Sequence, residues 1–235
     1  MEEVVPPVYD PEDPEIVCEC PRLDYILVVD IEATCGCDAA TMITPYNQEI
    51  IEIPCVVVRT ATAEIIAKHD IIVRPTMAPT LTAFCTALTG IRQADVDRAL
   101  DLWNALHEFD DFVRHTCAGG TYCIATDGEW DVPTMLFGEC ARKCISPRPY
   151  WRKFFDVRAE FANLYRPAGY CSQLSLTGML DELGMEFIGR RHSGIDDARN
   201  IARIVCSILA DDVLSWPTAK FPDVLRSFTA PRILV

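Results

Sequence analysis

The stretch YILVVDIEA (25–33) decides the fold. It opens as a short apolar run rich in Val and Ile, the pattern of a buried strand, and ends on two carboxylates, Asp30 and Glu32. Side chains two residues apart on a strand share a face, so both acids project together at the C-terminal end. Shielded from water side by side, they repel unless one is protonated or a cation lies between them. A hard divalent ion such as Mg²⁺ or Mn²⁺ relieves that conflict. Taken alone, D-x-E also fits one solvated carboxylate beside one capping carboxylate, so the rest of the chain has to decide.

Working outward, QEIIEIPCVVVRT (48–60) and AEIIAKHDIIVRP (63–75) are two further β-branched runs that predict a meander with the first strand. Pro54 inside the second run points to an edge position or a bulge. Residues 79–88 predict a short helix closing at Gly90, and 101–116 an amphipathic helix ending before Gly119-Gly120. TYCIATD (121–127) is a fourth strand, followed by a helix over 131–143, a short strand FFDV (154–157) leading into a helix, a helix over 173–183 and a long one over 196–210. Strands first, then alternating helix and strand, describe an α/β domain with a mixed sheet flanked by helices. The expected organisation is an acidic flexible tail (1–22), one domain (23–214) and a C-terminal extension (215–235) marked by Trp216, Pro217 and Pro222.

The second and third chemical pieces lie far from the first. Asp127, in TDGEWD (126–131), ends the fourth strand and reaches the same sheet edge as Asp30, while Asp131 is expected to cap the following helix. In HSGIDDARNIARI (192–204), His192 precedes the last helix and Asp196-Asp197 occupies its first turn. One acid there is explained by the helix dipole. Two acids with a histidine just upstream exceed what capping requires, although a plain N-cap remains the bland alternative.

Together these pieces resemble the DEDDh group of 3′–5′ exonucleases, which have a ribonuclease H-like fold. The motifs are Asp30/Glu32, a mid-chain Asp127, and His192 with Asp197 five residues later. The wording DIEATC, QEIIEIP, LTGI, TDGEWD, LGM and GIDDARNIARI is similar to the enhanced-RNAi (Eri-type) exoribonuclease subfamily, over roughly Tyr25 to Asp211. The resemblance implies an enzyme that removes nucleoside 5′-monophosphates from RNA 3′ ends, single-stranded or with short overhangs, with two divalent ions, Mg²⁺ or Mn²⁺. It implies Asp30, Glu32, Asp127 and Asp197 as metal ligands, Glu32 bridging, and His192 as general base. Glu32, Ala33 and Thr34 would contact the terminal sugar, with His192 beside it, and Leu88, Thr89 and Trp130 would bracket the base. Leu88 and Trp130 also read as ordinary core residues. Animal members of the subfamily often carry an N-terminal SAP module; the 24 residues ahead of the first strand are too few and too acidic for one, so stem-loop specificity is not implied. A deoxyribonuclease of the same fold and an idle RNA-binding scaffold are the rival readings.

Composition bounds these readings. The net charge of −14 argues against broad non-specific nucleic-acid binding, and half of it comes from eight acids and one base within residues 1–24. Arg142, Lys143, Arg148, Arg152 and Lys153 fall in an acid-free stretch with Tyr150 and Trp151, which suits RNA backbone contacts or else a solvated helix end. The acidic, proline-rich start is no secretory signal, and no apolar run approaches the roughly 18 residues of a membrane span. Twelve cysteines without an export signal fit a reduced intracellular protein, cytoplasmic or nuclear, with no membrane association. The C-x-C pairs Cys18/Cys20 and Cys35/Cys37 are closer than zinc-knuckle spacing and read as ordinary thiols.

Overall fold

A computed structural model describes residues 23–36, 43–44, 46–165 and 174–211, together with the short strand at 225–227. The acidic tail, Cys18, Cys20, Cys37 and nearly all of the C-terminal extension lie outside the described residues. So does Gln173, the expected first residue of the helix over 173–183.

The apolar run from Tyr25 forms β1 (Tyr25–Val28), but it does not continue unbroken into the acids. The chain leaves the ladder at Val29 and re-enters as the two-residue β2 (Glu32–Ala33), so Asp30 sits in the break rather than on a continuous strand. Both pieces pair antiparallel with one long strand, β3 (Ile50–Arg59): β1 with residues 56–59, and β2 with residues 50–52. Pro54 lies between those two paired stretches, where the β1-side ladder is interrupted and its missing N–H leaves no partner unmet. It therefore sits in a central strand rather than at an edge, because β4 (Glu64–Ile72) covers the other side of β3.

β1 also pairs parallel with β5 (Tyr122–Thr126), which pairs parallel with β6 (Lys153–Asp156). The backbone of β7 (Leu225–Ser227) adds antiparallel to β6. The result is a mixed sheet in which β1, β5 and β6 all point their C-terminal ends at one edge. Alternation along the strands feeds two cores. Leu27, Ile53, Cys55, Val57, Ile124 and Phe154 face α3 (Leu102–Thr116) and its Phe109. Ile26, Val28, Val56, Val58, Ala125 and Phe155 face α7 (Gly194–Asp211) and the helices beside it, α5 (Val157–Tyr165) and α6 (Leu176–Glu182). Both faces being covered explains why these strands read as near-continuous apolar runs.

The helices follow their caps. Thr82 and Asp101 each accept a backbone N–H at the start of α1 (Ala83–Thr89) and of α3, and Gly90, at φ 82, closes α1 in the left-handed region. The four-residue α2 (Gln93–Val96) follows. The helix expected over 131–143 is instead a π-helix, Trp130–Leu136, with Pro133 inside it, continuing as α4 (Phe137–Arg142). Pro133 lacks the N–H that an α-helical ladder would need, and wider π spacing accommodates the loss. Eight cysteines occur as free thiols among the described residues, and five of them are buried as small apolar groups. No described helix is long and apolar enough to cross a membrane.

What positions the functional edge is the seating of α7. Glu52, buried on β3, accepts the backbone N–H groups of Gly194 (3.2 Å) and Ile195 (3.0 Å) at the start of α7. A side chain at Gly194 would place its Cβ 2.7 Å from the Asp30 carbonyl oxygen, so only glycine lets the helix approach the break between β1 and β2 this closely. Gly194→Ala is expected to cost about 1–3 kcal/mol through overpacking, measured by urea unfolding. An unchanged midpoint would show that α7 does not seat so tightly against Asp30.

Candidate active site

The sheet edge defined by β1, β2 and β5 gathers the acids. Ligand-capable oxygens of Asp30, Glu32 and Asp197 all lie within 4.8 Å of one another. Asp30 comes from the strand break, Glu32 from β2 and Asp197 from the first turn of α7, so residues more than 160 apart in sequence meet because Gly194 and Glu52 hold the helix there. A fourth acid, Asp131, is buried in the first turn of the π-helix and accepts the backbone N–H of Ile31, which fixes it beside the same break.

The electrostatics follow from this crowding. Burial, and after it the charges of Asp131, Asp197, Glu32 and Asp127, push the Asp30 carboxyl well above the usual range. Burial followed by Asp197 and Asp131 raises Glu32 to about 8, with Arg190 acting against the shift. Asp131 rises to about 8, chiefly from burial and then from Asp127. Asp197 rises to about 6 through burial, opposed by the His192 N–H that its carboxylate accepts. Raised values of this kind, on carboxylates with few compensating donors, are the signature of a site that binds cations: desolvation and mutual repulsion are what a divalent ion relieves.

The mid-chain acid differs from expectation. Asp127, anticipated as a ligand, is held in a two-pronged pair by Arg158 of α5, at 2.9 Å and 2.6 Å. Both its oxygens are thereby engaged, and it stands outside the cluster of Asp30, Glu32 and Asp197. Asp131, anticipated as a helix cap, turns inward to the cluster instead. The helical stretch begins at Trp130, which puts Asp131 inside its first turn rather than ahead of it. TDGEWD offers two acids four residues apart, and sequence spacing alone does not say which one the turn aims inward.

His192 lies on the loop before α7 with φ 60, a left-handed conformation seldom taken by a non-glycine residue. Its N–H donates to Asp197 Oδ2 at 2.7 Å, and the residue itself is exposed, so the imidazole flanks the cluster from the solvent side. Strain of this type concentrates at functional sites. Ala33 and Thr34 are buried; the Thr34 hydroxyl accepts the Glu49 N–H at 2.9 Å and the Thr34 N–H donates to the Glu49 carbonyl at 2.7 Å, so the hydroxyl proton is what Thr34 has left to offer a ligand. Leu88 is half-buried at the end of α1, and Thr89 is buried with its hydroxyl donated to the Cys85 carbonyl at 2.9 Å. Trp130 is 47% exposed, which removes it from the core and leaves its ring open to a planar partner.

The acid-free stretch divides. Lys143 is paired with Glu49 at 2.8 Å and Glu139 at 2.6 Å, Arg142 donates to the Gln48 carbonyl, and Arg148 pairs with Asp110 at 3.2 Å. Trp151 is fully buried against Phe109, and the Tyr150 hydroxyl donates to Asp110. This stretch is therefore chiefly a structural brace. Arg152 and Lys153 are exposed, but Lys153 begins β6, at the end of the sheet away from the acids.

Comparison with known proteins agrees with this geometry. The Exonuclease family model (RNase_T) matches residues 27–205. The mouse "3'-5' exoribonuclease 1" is 38% identical over 192 residues, covering 80% of this chain and 54% of its own length. The Drosophila melanogaster "3'-5' exonuclease Snipper" is 34% identical over 206 residues, covering 81% of this chain and 71% of its own. A solved structure described as the nuclease domain of 3'hExo, a DEDDh family member, bound to rAMP, superposes with a TM-score of 0.74 at 37% identity, covering 80% of this chain and 93% of that one. The chain spans about half the length of the first of these relatives. The matched span carries every acid of the cluster together with His192, and the chain belongs to the Exonuclease (RNase_T) family, among the DEDDh exonucleases of the enhanced-RNAi type.

Proposed function

We propose that the protein is a 3′–5′ exoribonuclease that shortens RNA from its 3′ end, releasing nucleoside 5′-monophosphates, with divalent cations held by Asp30, Glu32, Asp131 and Asp197. The observation that carries this reading is the convergence of four acids from β1–β2, the π-helix and α7, three of them within 4.8 Å, with an exposed histidine at their margin. An all-oxygen donor set of this kind suits Mg²⁺ or Mn²⁺. A bound pair of such ions supplies Lewis-acid activation of water and stabilisation of the leaving 3′-oxygen.

The chain's own residues supply the rest. Asp30, Glu32 and Asp131 give up protons to become ligands, which couples cation binding to pH. His192, on its exposed loop, takes the proton of the attacking water at an imidazole nitrogen. Glu32, Ala33 and Thr34 face the terminal sugar. Leu88 and the open face of Trp130 hold the terminal base, a sequence-tolerant contact suited to trimming. Asp127 and Arg158 act behind the ligands, orienting the turn that carries Asp131. The exoribonuclease name of the mouse relative points to RNA as the substrate, and parallel assays on single-stranded RNA and DNA of one sequence decide between the two.

Three outcomes are expected. Asp30→Asn, Asp131→Asn and Asp197→Asn each abolish release of mononucleotides from end-labelled RNA while preserving the circular dichroism of the fold. Asp127→Asn costs no more than about a hundredfold, the scale for a residue that only orients a ligand. An inactive Asp127→Asn beside an active Asp131→Asn would return the ligand role to Asp127.

His192→Ala is expected to slow turnover by about two to four orders of magnitude at neutral pH. A wild-type rate profile between pH 6 and 9 would remove the histidine from proton transfer.

The third outcome concerns the metal-free protein. A carboxyl whose pKa is higher when folded holds its proton more tightly in the fold than in the unfolded chain. Stability is then full below the ordinary carboxylate value of about 4 and is lost as pH rises through the folded values. Those values are about 6 for Asp197 and about 8 for Glu32 and Asp131. The Tm of protein treated with EDTA should fall between pH 5.5 and 8.5 and recover on adding Mg²⁺ at the upper end. A flat Tm across that range would show that the four acids do not repel one another in the fold.

A further inference from the structure

A cleft of about 550 Å³ is lined by Arg190, whose charge is felt by Glu32 of the acid cluster. Its walls are the β3–β4 edge at Glu52 and Asp70, the end of α1 at Thr89, the turn after α2 at Arg98, and the loop before α7 at Arg190 and Ser193. This volume falls in the range of small-ligand sites. Two of its wall residues also border the proposed catalytic centre: Thr89 belongs to the segment proposed to bracket the terminal base, and the charge of Arg190 is felt by Glu32.

The cleft's acids are already satisfied within the protein. Asp95 is gripped by both arms of Arg92, at 2.9 Å and 2.8 Å. Glu52 accepts the Gly194 and Ile195 amides and is hydrogen-bonded to Asp70. The arginines are not satisfied. Arg98 makes no hydrogen bond or ion pair with another described residue and meets Asp95 only through its field. Arg190 gives one guanidinium nitrogen to the Ala87 carbonyl at 2.5 Å and keeps the remaining donors of its planar fork. In a chain with net charge −14, two under-used guanidinium groups facing one cleft are the arrangement that receives a phosphate.

Arg190 and Ser193, which line the cleft, lie on either side of His192 in the loop before α7, so the cleft adjoins the proposed general base. Resting on the exoribonuclease reading, we propose that the cleft seats the nucleotide immediately 5′ of the one released, with Arg98 and Arg190 holding the phosphate on that nucleotide's 5′ side.

Two dinucleotides isolate the contact: UpU, which lacks that phosphate, and pUpU, which carries it. Wild-type protein should show a KM for pUpU about tenfold below that for UpU, the lower end for a charge-assisted hydrogen bond at an exposed site, with similar kcat. Arg98→Ala should erase the difference in KM without lowering kcat. It should also flatten the dependence of log kcat/KM on log salt for pUpU by about 0.7, the contribution of one phosphate contact on a single strand. Equal KM values for the two dinucleotides in wild-type protein, or a preference that survives in Arg98→Ala, would overturn the subsite. Hydrolysis of neither dinucleotide by wild-type protein would count against the exoribonuclease reading instead. Calorimetric binding of pUpU and UpU then tests the subsite independently, and Arg98→Ala must still remove the preference.

Discussion

Four carboxylates pressed into one partly desolvated corner repel one another, and the surrounding structure works to keep them there. Asp30 hangs in a break between two strand segments, Asp131 is pinned by the Ile31 amide, and Asp197 is brought in by a helix seated on Glu52 and Gly194. The Asp131 anchor is a backbone amide, which does not titrate, whereas the α7 anchor is the carboxyl of Glu52, itself raised to about 9 by burial and then by Asp70. Their energy opposes the repulsion directly: a hydrogen bond of this kind contributes about 0.5–1.5 kcal/mol. The corner is therefore stored electrostatic strain on a rigid frame, the arrangement in which cation binding is coupled most strongly to stability and to protonation.

The same frame explains which parts of the site were legible in the sequence. Asp30 and Glu32 announce themselves because a β-branched run has a strict two-residue period, and Asp197 because a helix start carries one acid more than capping uses. His192 follows from its place just ahead of that helix. Asp131 was hidden by a different kind of local structure. An α-helix beginning beyond Asp131 would have made it a cap, but Pro133 lies inside the turn and the chain takes π spacing from Trp130, carrying Asp131 inward and leaving Asp127 to Arg158. Nothing in TDGEWD encodes Arg158, 31 residues downstream, as the partner that withdraws Asp127. That outcome is decided by α5 packing beside β5, a tertiary contact invisible to local spacing.

The fold was legible to the same degree and for the same reason. Strands covered on both faces read as apolar runs, α3 follows its expected span and α1 closes at Gly90 as expected, but α1 begins at Ala83, behind its Thr82 cap, rather than at residue 79. The break between β1 and β2 was not legible, because DIEA has no turn residue. It is imposed by β3, whose Pro54 interrupts the ladder where the first strand would otherwise continue.

Charge placement resolves the apparent conflict between an acidic protein and a polyanionic substrate. The conspicuous basic stretch near the middle of the chain spends Lys143 and Arg148 on Glu49, Glu139 and Asp110, holding α4 and the segment before β6 against the sheet. Cations that neutralise neighbours inside the fold contribute little field outside it. Beside the acids, Arg98 and Arg190 line one cleft and keep guanidinium donors free, and any cations the acids hold add to them. A net charge of −14 opposes broad binding along a polyanion, so any attraction has to come from local groups beside the acids.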